Sequence, residues 1–348
     1  MRSNLQNPTL MYNKLISNIR PLGFNWETSD PFIFCVHHLD HYPRGNDQLG
    51  PAASLEGRIL GQDFTPKDGW RMYHGEQIPG FPAHPHRGME TVTIVLNGFV
   101  DHSDSHGSAG RYGPGDVQWM TAGAGLQHAE MFPLLNQDQP NPLELFQIWL
   151  SLPKTKKFAD PHYKMLWAED IPVYREEDEQ GKTTEVTVVA GQLGDAKAPA
   201  PAPDSWAADP ANEVGIWLIK MQAHGSWTIP PASLEADRRL YFYRGSEMKI
   251  AGMNLQPSHS VELLAEQPVI LENGNEDAFL LLLQGQPINE PIVQHGPFAM
   301  NTIGEIKQAF ADYRQTQFGG WPWKRYDHIH GPRKERFARH PDGREETR

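Results

Sequence analysis

The chain is a succession of short apolar or alternating segments, each bounded by Gly, Pro, Asn or Asp, and this pattern restricts the fold more than any other feature. Such segments include TVTIVLNGFV at 91–100, RLYFYRG at 239–245 and FLLLLQG at 279–285. Short runs separated by turn residues predict β-strands, and many of them with little helix favour a sandwich or barrel. We therefore expect an all-β protein.

The length allows two such barrels. With 348 residues, the chain can form two domains with cores of their own. The runs from Val214 to Leu283 repeat the strand pattern of the first half. Two intervening segments are predicted to be irregular: the charged run at 175–185 reads as an exposed turn or linker, and the Pro/Ala-rich segment Ala198–Asn212 as a loop.

Composition excludes several classes of protein. The single cysteine, Cys35, rules out an internal disulfide framework and a thiolate-rich metal site. The formal charge of −12 opposes a general nucleic-acid-binding role, since phosphate binding requires a basic surface. The N-terminus has no signal-peptide apolar region, and no stretch is long and apolar enough for a membrane span. We expect a cytoplasmic protein that binds neither nucleic acid nor membrane.

Two pairs of side chains, His84/His86 and His128/Glu130, have i, i+2 spacing. In a strand this spacing places both side chains on one face. Two strands crossing the inside of one barrel would direct three imidazoles and one carboxylate at a single point, which is a ligand set for a first-row transition metal. Glu90, four residues past His86, is an alternative oxygen ligand or a partner that orients an imidazole.

Other histidines are weaker candidates. The pair His328/His330 has the same spacing, but it lies in a charged segment beyond Trp323, so we expect it to bind no metal. Four more histidines are expected to lie at the surface or to be hydrogen-bonded: His37, His38, His102 and His106.

One helix is predicted near the C-terminus. Thr302 followed by Glu305 predicts a capping box, and an apolar stripe at i, i+3, i+4 and i+7 begins at Ile306. We expect this helix, over Thr302–Gln315, to pack on a barrel. Beyond Trp323 the chain is charge-rich and nearly free of large apolar residues, which predicts a poorly ordered tail.

Three longer motifs carry a family resemblance: HPHRGMETVTIVLNG at 84–98, GPGDVQWMTAGAGLQHAEMF at 113–132 and EPIVQHGPFAMNT at 290–302. Together with the helix that begins at Thr302, they resemble the pirin family of the cupin superfamily. The resemblance covers most of residues 50–320. It implies a bicupin, with two tandem cupin barrels of the double-stranded β-helix or jelly-roll-like type and a short C-terminal helix. It also implies one metal, usually iron, in the N-terminal barrel only.

Carried over residue by residue, the family's metal ligands fall on His84, His86, His128 and Glu130. The broader cupin pattern uses the Glu of the first motif instead, which here is Glu90. The pirin-type HAE at 128–130 favours Glu130. The expected metal is Fe²⁺, although Mn, Ni, Cu, Co and Zn suit the same ligand types.

The pattern and the resemblance together predict the domain boundaries. We expect an N-terminal extension at 1–50 that contributes to the first barrel, a metal-binding barrel at 51–175, a second barrel at 186–300, a helix at 301–320 and the charged tail at 324–348. In the second barrel His224 and His259 stand alone, so we expect that barrel to be metal-free.

The resemblance implies an activity of the quercetin 2,3-dioxygenase kind. Four protein ligands on an ion that prefers six leave room for a substrate oxygen and dioxygen. The expected partners are therefore a small aromatic flavonol and O₂, with carbon monoxide released and Glu130 accepting the hydroxyl proton. The alternative is a non-enzymatic iron-binding protein in which the oxidation state of the metal tunes a protein-interaction surface. An aromatic cavity above the metal would favour the enzyme, and a filled pocket the interaction protein.

Overall fold

The computed structural model describes residues 15–348, which form two compact units. The first unit, called the first barrel, comprises Cys35–Ala168 and Glu290–Arg348. The second unit, called the second barrel, comprises residues 15–34 and Glu169–Asn289. None of the helices in the described part of the chain is long and apolar enough to cross a membrane.

Almost all regular structure is β-strand. The strands before Ala168 are β1 (Ile16–Pro21), β2 (Asn25–Trp26), β3 (Phe32–Tyr42), β4 (Gly80–His86), β5 (Met89–Asn97), β6 (Val100–Asp104), β7 (Ala109–Tyr112), β8 (Val117–Thr121), β9 (Leu126–Met131), β10 (Asn141–Ser151) and β11 (His162–Leu166). Those from Glu169 to Asn289 are β12 (Val173–Glu177), β13 (Thr183–Ala190), β14 (Gln192–Leu193), β15 (Ala196–Lys197), β16 (Gly215–Met221), β17 (Ser226–Ile229), β18 (Asp237–Arg244), β19 (Met248–Ile250), β20 (Met253–Leu255), β21 (His259–Leu263), β22 (Val269–Asn273) and β23 (Ala278–Gly285). The C-terminal elements are β24 (Val293–His295), β25 (Phe298–Met300), helix α1 (Ile303–Thr316), β26 (Phe337–Arg339) and β27 (Glu345–Thr347). Short 3₁₀ turns lie at Ala168–Asp170, Trp206–Ala208, Pro210–Asn212 and Gln317–Gly319.

The first barrel is built from two sheets. One contains the strand order β11-β8-β5-β10-β3, and the other the order β27-β26-β7-β6-β9-β4. Side chains from both sheets share one buried cluster, in which Val95 and Leu145 of the first sheet accompany Val100 and Tyr112 of the second. Two sheets enclosing one core are the jelly-roll-like arrangement that the sequence predicts. The all-β prediction is confirmed.

The second barrel repeats this plan with a more aliphatic core. Its sheets have the orders β1-β21-β18-β23-β16-β13-β12 and β17-β22-β19-β20. Val186 and Val188 on β13, and Leu280 and Leu282 on β23, are two residues apart and point into the same cluster. The period of two, visible in the sequence, thus sets which face of each strand is buried. The Pro/Ala-rich segment Ala198–Asn212 is irregular apart from its two 3₁₀ turns, as predicted.

The N-terminal strand differs from expectation. Strand β1 pairs antiparallel with β21, with Ile16 opposite Leu263 and Pro21 opposite His259, so it extends the second barrel. Only the part of the predicted 1–50 extension from Cys35 onward belongs to the first barrel, and residues 1–14 lie outside the described residues. The physical reason is that a sheet edge binds an added strand through backbone hydrogen bonds, which the hydrophobic pattern does not encode.

Helix α1 confirms its sequence signals. Thr302 is the N-cap, its hydroxyl accepts from the Glu305 backbone N–H, and the Glu305 side chain accepts from the Thr302 backbone N–H. Ile306 and Ala309 are buried and pack in a cluster with Phe298 of β25. The helix therefore packs on the first barrel.

The predicted disorder of the tail does not match this structure. Strand β26 pairs antiparallel with β7, with Phe337 opposite Arg111. The indole N–H of Trp323 donates to the backbone carbonyl of Asp104 at 2.8 Å, and Arg111 donates to the carbonyl of Gly331 at 2.8 Å. Backbone pairing and a few aromatic anchors hold this segment, and neither contributes to a composition-based prediction of disorder.

Candidate metal centre

Three histidines meet on the paired strands β4 and β9. The strands run antiparallel with His84 opposite His128, just after a register shift. The ring centroids are 4.9 Å apart for His84 and His86, 4.6 Å for His84 and His128, and 5.0 Å for His86 and His128. One ring nitrogen of each lies within 4.8 Å of one from each of the others. This is close enough for one metal ion to bind all three, and the predicted shared face of His84 and His86 is confirmed.

Backbone carbonyls orient two of these rings. The Nδ1–H of His84 donates to the Pro82 carbonyl at 2.9 Å, and that of His86 donates to the Pro297 carbonyl at 3.1 Å. Because a carbonyl can only accept, each neutral ring carries its proton on Nδ1 and has its lone pair on Nε2. Hydrogen bonds of this kind orient metal-binding histidines in general.

His128 is fully buried, and neither of its ring nitrogens has a hydrogen-bond partner among residues 15–348. Burying such a group without a partner is unfavourable. Burial, with a smaller contribution from neighbouring histidines, lowers the pKa of His128 and His86 well below the usual value and that of His84 to about 4. All three rings are therefore neutral near pH 7, which is the state that binds a metal. The donor set and the unpartnered nitrogens of His128 fit a transition metal.

Glu130 lies beside these rings but outside the group of three. Its Oε2 is 3.7 Å from Nε2 of His128. Thr93 donates to Oε1 at 2.9 Å, and Gln147 donates to Oε2 at 2.6 Å. Burial raises the pKa of Glu130, and His102 together with these hydrogen bonds opposes the shift. The geometry leaves Glu130 available to a metal or to a proton, and its assignment as fourth ligand stays a prediction.

Glu90, the alternative oxygen ligand, is fully buried on β5. Its Oε1 accepts hydrogen bonds from the Trp119 indole at 3.1 Å and from the Thr121 hydroxyl at 2.7 Å. Both donors lie on the neighbouring strand β8, so the bonds hold this carboxylate between the two strands. The contact of Glu130 with His128 therefore supports Glu130 over Glu90 as the oxygen ligand.

His102 is a neighbour of the site that sequence reasoning did not assign to it. It lies on β6 opposite Glu130, with its ring 5.4 Å from that of His128 and stacked on Tyr163 at 4.8 Å. Its Nε2 is 3.2 Å from Oδ2 of Asp104, so the expectation of a hydrogen-bonded histidine is confirmed. Its closeness to His128 comes from the pairing of β6 with β9, for which the motif spacing gives no signal.

Three other histidines are also as expected. His37 has Nε2 3.0 Å from a carboxylate oxygen of Glu144, and His38 has Nδ1 2.7 Å from the hydroxyl of Tyr73. His106 is exposed. Each is therefore at the surface or hydrogen-bonded.

The pair His328/His330 lies against the first barrel. The rings are 5.1 Å apart, and the Nε2–H of His330 donates to the backbone carbonyl of His102 at 2.8 Å. Trp323 stacks on His328 at 4.7 Å. These contacts give both rings a structural role, and the prediction that they bind no metal stays a prediction.

Aromatic side chains lie beside two of the three histidines. Trp149 lies edge to face with His86 at 5.1 Å, and Phe81, which is half-buried, lies 6.2 Å from His84. Phe81 in turn packs against Tyr73 at 5.1 Å. These rings place apolar surface beside His84 and His86.

The second barrel has no comparable cluster within the part of the chain that the structure describes. His224 lies in a turn with φ of 63°, and His259 is half-buried with its Nδ1–H donating to the Pro257 carbonyl at 3.1 Å. That this barrel is metal-free stays a prediction.

Comparison with known families matches both barrels. The family described as Pirin matches residues 25–150, and the Pirin C-terminal cupin domain matches residues 216–319. The first range contains all four residues of the candidate site.

Individual relatives agree with this match. The chain is 35% identical over 274 residues to a Pseudomonas aeruginosa protein provisionally named quercetin 2,3-dioxygenase, covering 78% of this chain and 84% of the relative. It is 34% identical to Pirin of Homo sapiens, covering 71% of this chain and 80% of the relative. A crystal structure of quercetin 2,3-dioxygenase from Acinetobacter baumannii aligns with a TM-score of 0.67 and 27% identity, over 88% of this chain and 98% of its own.

Proposed function

This chain belongs to the pirin family, and from that premise we propose that its first barrel is a metal-dependent dioxygenase that opens the heterocycle of quercetin-type flavonols. The reaction would consume O₂ and release carbon monoxide. Relatives named for this activity support the reaction class. The flavonol, the iron and the fourth ligand are parts of the proposal.

The observation that carries the proposal is the group of three histidines with nitrogens within 4.8 Å of one another. Carbonyls of Pro82 and Pro297 present the lone pairs of His84 and His86, and the nitrogens of His128 lack any other described partner. A site held ready by backbone contacts binds a metal without first having to reorganise. Iron is the metal we propose for it.

When bound, iron would supply Lewis acidity toward a flavonol hydroxyl and electron exchange with dioxygen. The chain itself supplies orientation and proton transfer. Burial raises the pKa of Glu130, which makes this carboxylate a better proton acceptor for the substrate hydroxyl. Gln147 and Thr93 fix its two oxygens at 2.6 and 2.9 Å. The rings of Phe81 and Trp149 provide flat apolar contacts beside the histidines.

The test is an assay of the iron-loaded protein with quercetin in air. We expect loss of the flavonol absorbance band together with carbon monoxide release, and no loss without oxygen. His259→Ala, which removes a histidine from the second barrel, is the matched control and should retain full activity. Absence of turnover across several flavonols at full iron content would refute the proposal.

The non-enzymatic alternative has one observation in its favour. His86 and Glu130 are 2% exposed and His128 is fully buried, so only His84 is partly accessible. A site this enclosed also suits a protein whose metal oxidation state alters an interaction surface. Failure of the quercetin assay, with metal still bound by the three histidines, would favour this function.

A further inference from the structure

The second barrel contains a cavity of about 480 Å³. It is lined by Pro199 and Pro201 of the Pro/Ala-rich segment and by Gly215 and Trp217 of β16. Arg238 of β18 also lines it. All lining residues belong to the second barrel. The volume lies within the range of small-molecule sites, roughly 300–1,000 Å³.

Arg238 is 3% exposed, and none of its side-chain hydrogen bonds is made to a charged acceptor. Its Nε–H and Nη2–H donate to the Gln284 side-chain oxygen at 2.8 and 2.5 Å, and its Nη1–H donates to the Pro230 carbonyl at 2.8 Å. These three acceptors are all uncharged. A guanidinium has five N–H groups, so two remain available. Buried charges are normally paired, which makes this arrangement unusual.

The adjacent arginine shows the contrast. Arg239 is also buried, at 2% exposed, but it forms ion pairs with Glu262 and Glu27. Burial lowers the pKa of Arg238 to about 10, an effect that Glu213 opposes, so the group remains cationic at neutral pH. The carboxylate of Glu213 is itself occupied, because the Ser233 backbone N–H and the Gln286 amide donate to it.

Trp217 provides a second unused donor in the cavity. It is 3% exposed, and its indole N–H has no acceptor among the described residues. A Cβ at Gly215 would lie at ordinary contact distance, 3.5 Å, from Nε1 of Trp217, so the glycine leaves room for about one methyl group beside the indole nitrogen. A buried N–H with room beside it is a place for an acceptor atom of a ligand.

A smaller cavity on another side of Arg238, of about 230 Å³, is lined by Asp237 and Glu262. These carboxylates disfavour an anion there. The larger cavity is also lined by two carboxylates, those of Asp209 and Glu213. It differs in having a second cation, Lys197, and rigid apolar surfaces from Pro199, Pro201 and Pro230.

We propose that the second barrel binds a small organic carboxylate in the larger cavity. The carboxylate accepts hydrogen bonds from Arg238 and from the indole N–H of Trp217, and the apolar body of the ligand packs against the prolines. Arginine is suited to this role because its planar fork binds a carboxylate through two parallel hydrogen bonds. The site uses no residue of the metal centre, so it stands independently of the dioxygenase proposal.

The test is calorimetric titration of the full-length, metal-loaded protein with benzoate and with benzamide, its uncharged analogue of similar shape. We expect saturable binding of benzoate and at least about tenfold weaker binding of benzamide, because only the anion makes charge-assisted hydrogen bonds. Equal affinities, or no saturable binding of benzoate, would overturn the proposal.

Two variants locate the site. Arg238→Gln should weaken benzoate binding by at least about tenfold and leave benzamide binding unchanged. Gly215→Ala places a methyl group at ordinary contact distance beside Trp217, and it should weaken benzoate binding several-fold without loss of folding. If Arg238→Gln does not fold, Gly215→Ala decides the question. Unchanged benzoate affinity in every folded variant would overturn the proposal.

Two controls exclude other binding places. Arg175→Gln removes an exposed arginine of the same barrel, paired with Glu185, and should not change benzoate binding. His128→Ala, which disables the metal centre, should not change it either. Loss of benzoate binding in either control would place the anion at the surface or at the metal and would contradict the proposal.

Discussion

The two barrels share a fold plan but differ in what they bury. The first barrel encloses many ionisable side chains at 1% exposure or less, among them Asp40, Glu90, Asp101, His102, Asp104, Arg111 and His128. In the described part of the second barrel, no histidine, aspartate or glutamate is buried, and the only buried charges are Arg238 and Arg239. Its main cluster consists entirely of apolar residues.

This difference indicates which of the two barrels contains the candidate functional site. Burying ionisable groups lowers stability unless each is paired, so such groups persist where a function needs them. The first barrel concentrates histidines and carboxylates around strands β4, β6 and β9, whereas the second keeps a core that packing alone explains.

Removal of His128, a candidate metal ligand, should abolish metal binding, which is the main functional difference that we expect between the two barrels. We expect His128→Ala to reduce bound metal to below about a tenth of the wild-type content, because losing even a residue that only orients a metal ligand costs about 10–100-fold in affinity. Elemental analysis of the purified protein measures this. Retention of full metal content would show that the metal is bound elsewhere. His259→Ala serves as the control, and its metal content should be unchanged.

Glu130→Gln separates metal binding from proton transfer. The amide can still offer an oxygen but accepts a proton poorly, so turnover should fall by about 100-fold or more while most of the metal remains. Turnover of quercetin is measured at quantified metal content. A parallel loss of metal and turnover would assign Glu130 to ligation alone.

Acid should destabilise the first barrel through His38. Burial, together with the charges of Arg71 and His37, lowers the pKa of His38 to about 3, whereas the unfolded group titrates near 6.5. Between these values the unfolded chain binds more protons, so stability falls as pH falls, by up to about 1.4 kcal/mol per unit. Melting curves of metal-free protein from pH 7 to 4 test this. His38→Gln should flatten the dependence, and an equal slope in both proteins would contradict the prediction.

Helix α1 allows a local test. Ile306 is buried in the cluster on β25, so Ile306→Ala should destabilise the first barrel by about 2–4 kcal/mol. Ile303, in the same helix, is 64% exposed, and Ile303→Ala should change stability by less than about 0.5 kcal/mol. Denaturant unfolding of both variants gives the comparison, and equal effects would show that the helix is not anchored through Ile306.

Much of this architecture is predictable from sequence because it depends on local patterns. The period of two gives the strands and the shared face of His84 and His86, and the Thr302/Glu305 spacing gives the cap of α1. The partners of Glu130 are not predictable in this way. Thr93 and Gln147 lie on β5 and β10, and only sheet pairing brings them to the site.

Two differences from expectation, the placement of the N-terminal strand and the order of the C-terminal segment, have the same origin. Strand β1 joins β21 and strand β26 joins β7 through backbone hydrogen bonds at sheet edges. Backbone groups are the same in every residue, so the sequence carries little information about which edge a segment joins. Side-chain patterns predict what is buried more reliably than they predict which strands are neighbours.

The hydrogen bond from His86 to the Pro297 carbonyl has a consequence for protein synthesis. The two residues are 211 positions apart, and the whole of Glu169–Asn289 is translated between them. At about 5–20 residues per second, the ribosome delivers the carbonyl roughly 10–40 s after the histidine. Until then His86 lacks the contact that fixes its tautomer. The nascent first barrel therefore acquires this contact only after the chain of the second barrel has been made.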